Sequence, residues 1–364
     1  MKEDEDGFLF PQIDKASCIF CHLCEKVCPE NTFPEMNKTI LSPVMAAVKS
    51  KDDDLILKSA SGGAFTQIVR WFLSQGDGYI YGAAWDDDLN VKHICSWNDE
   101  RTDEIRGSKY VQSDLGFCFN EIKQHLLDGH RVLFSGTPCQ VAALRNIVGI
   151  NDNLVCVDLV CHGAPSQKIF NDYVSYEEKR MHKKITKFGF RHKIFKRKWL
   201  TRNIIITTED GEKKPITWFK TDYLRAYHPC LMNRESCYEC RYSKPERYGD
   251  ITIGDFWGVK KIYPQLIVEH GVNVIQFNTK IGVLISSYLK NNMDYYPVDR
   301  DVYMQLYENS LARSGGVKMN PKRKRFLEIE REQGFHKAVV FAFPFHIDFI
   351  RYLFREFKKK LKVF

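Results

Sequence analysis

A helical period of apolar positions falls at Phe65, Ile68, Val69 and Phe72, behind Ser59-Ala-Ser61-Gly62-Gly63. Apolar residues three and four apart predict an amphipathic helix, with Ser59 or Ser61 as its cap and Gly76 as its stop. Two β-rich runs follow, Tyr79 to Trp85 and Val91 to Trp97, joined by the turn-forming Asp86 to Asn90. A helix from about Leu115 to Leu127 leads into the short apolar run Arg131-Val-Leu-Phe-Ser-Gly136, a buried strand. Thr137 caps, and Pro138 opens, a helix whose body runs from Gln140 to about Val148. The pattern then repeats: Leu154 to Val160 is a buried strand, Cys161-His162-Gly163 interrupts it, and Ser166 caps the next helix. Alternating strand and helix predict an α/β unit with parallel strands. Ligands of such sheets bind outside the carboxyl ends of the strands, where Cys139 and Cys161 both fall.

From about residue 185 the pattern turns to strands, Ile185 to Phe195 and Trp199 to Phe219, with Glu209-Asp-Gly-Glu212 as a hairpin turn. Cys230, Cys237 and Cys240 come next, then the strand Asp250-Ile-Thr-Ile-Gly254 and Asp255-Phe-Trp-Gly258. Residues 262–300 read as mixed α/β, and a basic amphipathic helix from Phe345 to Phe364 follows Pro344. Lys51-Asp-Asp-Asp54 reads as a solvated linker. The chain therefore divides into 1–40, 55–170, 171–310 and a basic tail, 311–364. Its fold class is α+β or α/β, with the run Cys18-x2-Cys21-x2-Cys24-x3-Cys28-Pro29 marking a ferredoxin-like 4Fe-4S segment ahead of an α/β core and a strand-rich second part.

Twelve cysteines sharpen this picture. The chain opens on the acidic Met-Lys-Glu-Asp-Glu-Asp and has no apolar run approaching the ~18 residues of a membrane span, so a cytoplasmic location is expected. That compartment keeps thiols reduced, which points the cysteines to metal ligation or catalysis. The net charge of +8 is modest for 364 residues. Without a helix-turn-helix, RRM or KH signature, nucleic acid is not an expected partner. The basic run Arg191, His192, Lys193, Lys196, Arg197, Lys198 and Arg202 is a solvated hairpin face, or else a surface for an anionic cofactor tail or an acidic electron-transfer partner. The terminal helix is expected to pack on its own domain, with weak peripheral contact to an anionic membrane as the alternative.

The strongest motif is Cys18-Ile-Phe-Cys21-His-Leu-Cys24-Glu-Lys-Val-Cys28-Pro29, a Cys-x2-Cys-x2-Cys-x3-Cys-Pro run of the bacterial ferredoxin kind. Three thiolates two residues apart wrap one face of an iron–sulfur cube, and the fourth cysteine ligates a second cluster in two-cluster ferredoxins. Zinc knuckles more often set two Cys-x2-Cys pairs apart in sequence. Cys230, Cys237 and Cys240 form a second group that Cys139 and Cys161 could join, and zinc stays open for it. Cys95, Cys118 and Cys156 lie in apolar patterns and read as core thiols. Cys139 begins a helix, whose dipole lowers a thiolate pKa, so a ligand, a nucleophile and an incidental cysteine are all open there. Ser61-Gly62-Gly63 ahead of a helix could present N–H groups to a phosphate, a weak signal taken alone.

Taken together, Ser61-Gly-Gly63, Gly107-Ser-Lys-Tyr-Val-Gln-Ser113, Phe134-Ser-Gly-Thr-Pro-Cys-Gln140, Asp158-Leu-Val-Cys-His-Gly163, Ser236-Cys-Tyr-Glu-Cys240 and Asp250-Ile-Thr-Ile-Gly-Asp-Phe-Trp-Gly258 resemble the coenzyme F420 hydrogenase/dehydrogenase beta-subunit family. They stand in the family's order over about 55 to 320. The resemblance implies an oxidoreductase with FAD and 4Fe-4S clusters that exchanges hydride with a small molecule. That molecule is the deazaflavin F420 in archaeal relatives; many bacterial relatives accompany polysaccharide biosynthesis. It further implies that Ser61, Gly62, Gly63, Gly107, Ser108, Lys109, Tyr110, Gly136, Thr137 and Pro138 line the flavin. Cys139, Cys161, Cys237 and Cys240 would ligate an inner cluster, with Cys230 in reserve, beside the outer run of Cys18, Cys21, Cys24 and Cys28. A ferredoxin or other redox protein is the expected macromolecular partner. Relatives with a ferredoxin module often carry two cysteine runs, and this chain starts near the segment that would join them. The outer cluster is therefore either continued by residues upstream or kept as half a module. The competing class is a non-catalytic electron-transfer or zinc-stabilised interaction protein.

Overall fold

The computed structural model describes residues 1–36, 44–193, 203–305 and 316–344. Its strands are β1 (Lys2–Glu3), β2 (Leu9–Phe10), β3 (Val44–Ser50), β4 (Tyr79–Trp85), β5 (Val91–Trp97), β6 (Val132–Gly136), β7 (Leu154–Leu159), β8 (Ile185–His192), β9 (Asn203–Thr208), β10 (Lys213–Ile216), β11 (Ile251–Asp255), β12 (Asn273–Phe277) and β13 (Met293–Val298). Its helices are α1 (Leu23–Val27), α2 (Asp53–Lys58), α3 (Ala64–Ser74), α4 (Thr102–Ile105), α5 (Cys118–Leu127), α6 (Pro138–Val148), α7 (Gln167–Met181), α8 (Asp222–Tyr227), α9 (Lys280–Asn292), α10 (Arg300–Gln305), α11 (Arg323–Gln333) and α12 (Phe335–Ala342).

An eight-stranded sheet in the order β13-β3-β12-β11-β7-β6-β4-β5 organises the molecule. The four strands β4, β6, β7 and β11 run parallel, as the strand–helix alternation predicts, and antiparallel strands close both sides. Side chains of successive residues leave a strand on opposite faces. Leu154 and Cys156 thus join α5 and α6 on one face, while Val155 and Val157 meet α3 and α9 on the other. A second core joins α7, α8, α11 and α12 to the three-stranded sheet β10-β9-β8. The large sheet takes strands from both sides of residue 170, and β3 lies ahead of residue 55.

Several expectations shift locally. Residues 51–54 are not a plain linker, because Asp52 accepts the Leu55 amide at 3.0 Å and starts α2, which buries Leu55 and Ile56. Ser59 closes that helix through a bond to the Leu55 carbonyl, which leaves left-handed Gly63, and no serine, at the cap of α3. The strand expected over Trp199–Phe219 is a β9–β10 hairpin turning at 209–212, as read, with a 3-10 turn at its end. Lys196, Arg197, Lys198, Arg202 and the tail helix 345–364 lie outside the described residues. No described helix is long and apolar enough to cross a membrane.

Two buried ion pairs cross the junction of β7 and β11. Arg145 of α6 meets Asp250 at 2.8 Å, and Arg247 meets Asp158 at 3.1 Å. Asp250 also accepts the Cys156 amide and the Thr279 hydroxyl, each at 2.8 Å. Breaking a buried pair from one side leaves an uncompensated charge. Asp250→Ala is expected to lower unfolding free energy by about 3–5 kcal/mol in a denaturant titration.

Candidate functional site

The parallel strands end together, and the cysteines sit just past those ends. Cys139 follows β6 on the first turn of α6, where Thr137 and Gln140 form the reciprocal cap its sequence calls for. Cys161 follows β7. Cys237 and Cys240 come from a loop whose tight approach to Gly316 decides the residue there: a Cβ on Gly316 would stand 2.5 Å from the Cys237 carbonyl oxygen and 2.8 Å from the Cys240 nitrogen.

The four thiols lie near enough to act on one another electrostatically. Burial raises the Cys161 thiol first, and the nearby Cys237, Cys139 and Cys240 raise it further. Burial likewise pushes Cys237 up to about 12, with Cys139 and Cys240 adding to it. Three of the four sulfurs also receive backbone N–H groups: Cys161 from Gly163 at 3.3 Å, Cys237 from Ala164 and Cys139 from Gln140. The Thr137 hydroxyl lies 3.2 Å from the Cys139 sulfur. Thiolates gathered this closely would repel one another, so a cationic metal core, with N–H donors beside the sulfurs, suits them. Among the described residues no three His, Cys, Asp or Glu close into the shell of a single ion. A four-iron cube instead holds its thiolates at separate corners, and this donor set fits it.

Cys230 stands apart, its sulfur 3.4 Å from His162 Nε2 and packed with Tyr238 and Val317. Cys118 and Cys156 are buried core thiols, as read, whereas Cys95 is only half-buried where it packs against the same core. At Cys139 burial outweighs the helix terminus and raises the thiol, which runs against the nucleophile reading.

The outer run lies beside this set. Cys21 and Cys24 are exposed, Cys18 and Cys28 partly covered, and Phe20 and His22 take left-handed backbone angles that wrap the segment. Asn146 of α6 donates to the carbonyls of Val27 and Thr32, and Tyr242 to that of Pro29 at 2.5 Å.

The ten flavin-lining candidates come from three stretches whose flanking residues are tied by hydrogen bonds. Arg106 bonds Thr66 at 3.0 Å, which joins the second stretch to the first helix, and Gln140 bonds Ser113 at 2.9 Å, which joins the second to the third. Their side chains are largely committed internally. Ser61 Oγ donates to the Val272 carbonyl, Lys109 Nζ donates to the carbonyls of Glu104, Ile105 and Arg106, and Thr137 serves its cap. Burial pulls the Lys109 ammonium down to about 7. What the neighbourhood offers a planar anionic cofactor is different. Tyr110 stacks on Tyr227 at 4.8 Å, Arg191 pairs with Asp255 at 2.9 Å, and Gly107 has open space where a side chain would stand. His93 Nε2 lies 3.1 Å from the Ser135 carbonyl, while its buried Nδ1 has no hydrogen-bond partner among the described residues. Burial lowers His93 to about 4, so the ring is neutral and Nδ1 remains an acceptor. His93 was missed as a site residue because it is a single polar residue within a strand pattern, while Arg191 was read only as part of a basic run and Asp255 only as part of the 250–258 motif.

Residues 129–296 match the family model for the carboxy-terminal part of the coenzyme F420 hydrogenase/dehydrogenase beta subunit, and residues 11–33 match a 4Fe-4S binding domain. No curated protein matches the chain. Among solved structures, a chain of the F420-reducing [NiFe] hydrogenase complex from Methanosarcina barkeri is 18% identical, with 86% of this chain and 95% of that chain covered and a TM-score of 0.48.

In metal-free protein, Cys21 and Cys24 should alkylate first. A thiol raised to about 12, as at Cys237, carries roughly a thousandfold less thiolate at pH 8 than an ordinary cysteine. Mass-spectrometric mapping of iodoacetamide adducts checks this order.

Proposed function

We propose, for a chain that over residues 129–296 belongs to the coenzyme F420 hydrogenase/dehydrogenase beta-subunit family and carries a 4Fe-4S binding domain at 11–33, an iron–sulfur flavoprotein oxidoreductase. It passes electrons between two 4Fe-4S clusters and FAD, and exchanges hydride with a small organic molecule of the deazaflavin class. The observation that carries this reading is the convergence of Cys139, Cys161, Cys237 and Cys240 from three separate segments at the ends of the parallel strands.

Bound at these sites, the clusters would carry single electrons and the flavin would exchange two with an organic molecule. The chain's own residues supply the rest. Amides of Gln140, Gly163 and Ala164 donate to sulfur and stabilise added negative charge there. The Tyr110–Tyr227 stack and the Arg191–Asp255 pair hold a fixed wall and a fixed cation beside Ala60, whose carbonyl Arg191 also reaches. Neutral His93 presents Nδ1 as an acceptor at the strand that leads into Cys139. Preset dipoles of this kind need no reorganisation as charge moves.

Iron and acid-labile sulfide in anaerobically reconstituted protein test the assignment. Cys161→Ser and Cys240→Ser should each lose about four irons per chain, one cluster's content. Cys230→Ser should retain them. Full iron in Cys161→Ser, or loss in Cys230→Ser, would overturn the ligand set.

A further inference from the structure

The turn after Cys28 is gripped from two sides by the elements that carry inner cysteines. On one side is the loop beyond Cys240. The Tyr242 hydroxyl donates to the Pro29 carbonyl at 2.5 Å, and Arg241 donates to the Glu30 carbonyl. The Arg241 guanidinium lies over the Phe33 ring at 4.0 Å and Lys244 at 4.8 Å, while Phe33 stacks on Tyr248 and meets Tyr242 edge-on. On the other side is α6, whose first turn holds Cys139. Its Asn146 donates to the Val27 and Thr32 carbonyls at 3.3 and 2.9 Å. Glu30 is near enough to raise the Cys139 thiol, and Cys139 in turn raises the Tyr242 phenol.

A five-residue helix, α1, and a turn with exposed cysteines would not hold a fixed distance to the core unaided. We propose that Phe33, Tyr242 and Asn146 form a clasp that sets the separation between the outer and inner cysteine groups, with Tyr242 as its central positioning residue. The inference rests on the reading of both groups as cluster sites. The step it serves is transfer of one electron, in which one centre is oxidised as the other is reduced and no bond is made or broken. An external one-electron donor of the reduced-ferredoxin class supplies that electron. Through-space transfer depends steeply on separation, so a clasp that fixes the gap fixes the rate.

Two measurements on full-length Tyr242→Phe and Asn146→Ala test it. Hydrogen exchange in the metal-free protein reads the clasp without any cluster: amides of residues 25–33 should exchange about fivefold faster or more in each variant, while the β7 amides stay protected. In reconstituted, dithionite-reduced protein, iron content should match wild type and the magnetic interaction between the two reduced centres should weaken. Unchanged exchange at 25–33 in both variants, or an unchanged magnetic interaction, overturns the clasp. Failure of wild type to bind iron counts against the functional reading instead, and the exchange result still decides the clasp.

Discussion

The carboxylate of Asp158 is the fixed point of this molecule. It is completely buried at the end of β7, three residues before Cys161. Arg247 reaches it through Nε at 3.2 Å and Nη2 at 3.1 Å, and the Gly249 amide takes its other oxygen at 3.2 Å. The same guanidinium donates to the carbonyls of Leu159 and Tyr242. One ion pair thereby fastens the loop that carries Cys237 and Cys240 to the strand that carries Cys161. Burying a charge pair gains little net stability unless its remaining donors and acceptors are satisfied, and here they are. Its main effect is to hold a long loop in one place.

That placement explains why the functional residues gather where they do. Parallel strands leave their last residues side by side, and each of β6 and β7 runs directly into a cysteine. The Arg145–Asp250 pair fixes α6 against the start of β11, so Cys139 keeps its position relative to Cys161. The outer cysteine run then rests on α6 and on the Cys240 loop, the two elements that also carry Cys139 and Cys240. Each link follows from a short-range contact, and the chain of contacts is continuous from Pro29 to Tyr110.

Much of this was legible in the sequence because it depends on local signals. Thr137-Pro138 ahead of Gln140 marks a helix start, Ser166 another, and the apolar runs at 132–136 and 154–159 mark buried parallel strands. The second cysteine group was legible in part: spacing grouped Cys230 with Cys237 and Cys240, and strand ends suggested Cys139 and Cys161, but the structure sets Cys230 apart against His162 and Tyr238. What escaped had distant causes. Val44–Ser50 was assigned no element from the sequence, yet it pairs with strands more than two hundred residues away and becomes central to one side of the sheet. The Ser61 and Lys109 side chains look like ligand contacts in a motif, and they turn inward to Val272 and to the end of α4. Arg247 and Arg145 carry no motif at all; their weight comes from the buried carboxylates opposite them.

The central claim is that the strand-end cysteines hold an iron–sulfur centre in electronic contact with a flavin. Stepwise anaerobic reduction of the purified protein, followed in the visible, addresses it most directly. The account predicts that a broad iron–sulfur absorption and flavin bands bleach within one titration and return together on reoxidation. A colourless protein that takes up no electrons and carries zinc on these cysteines would contradict it.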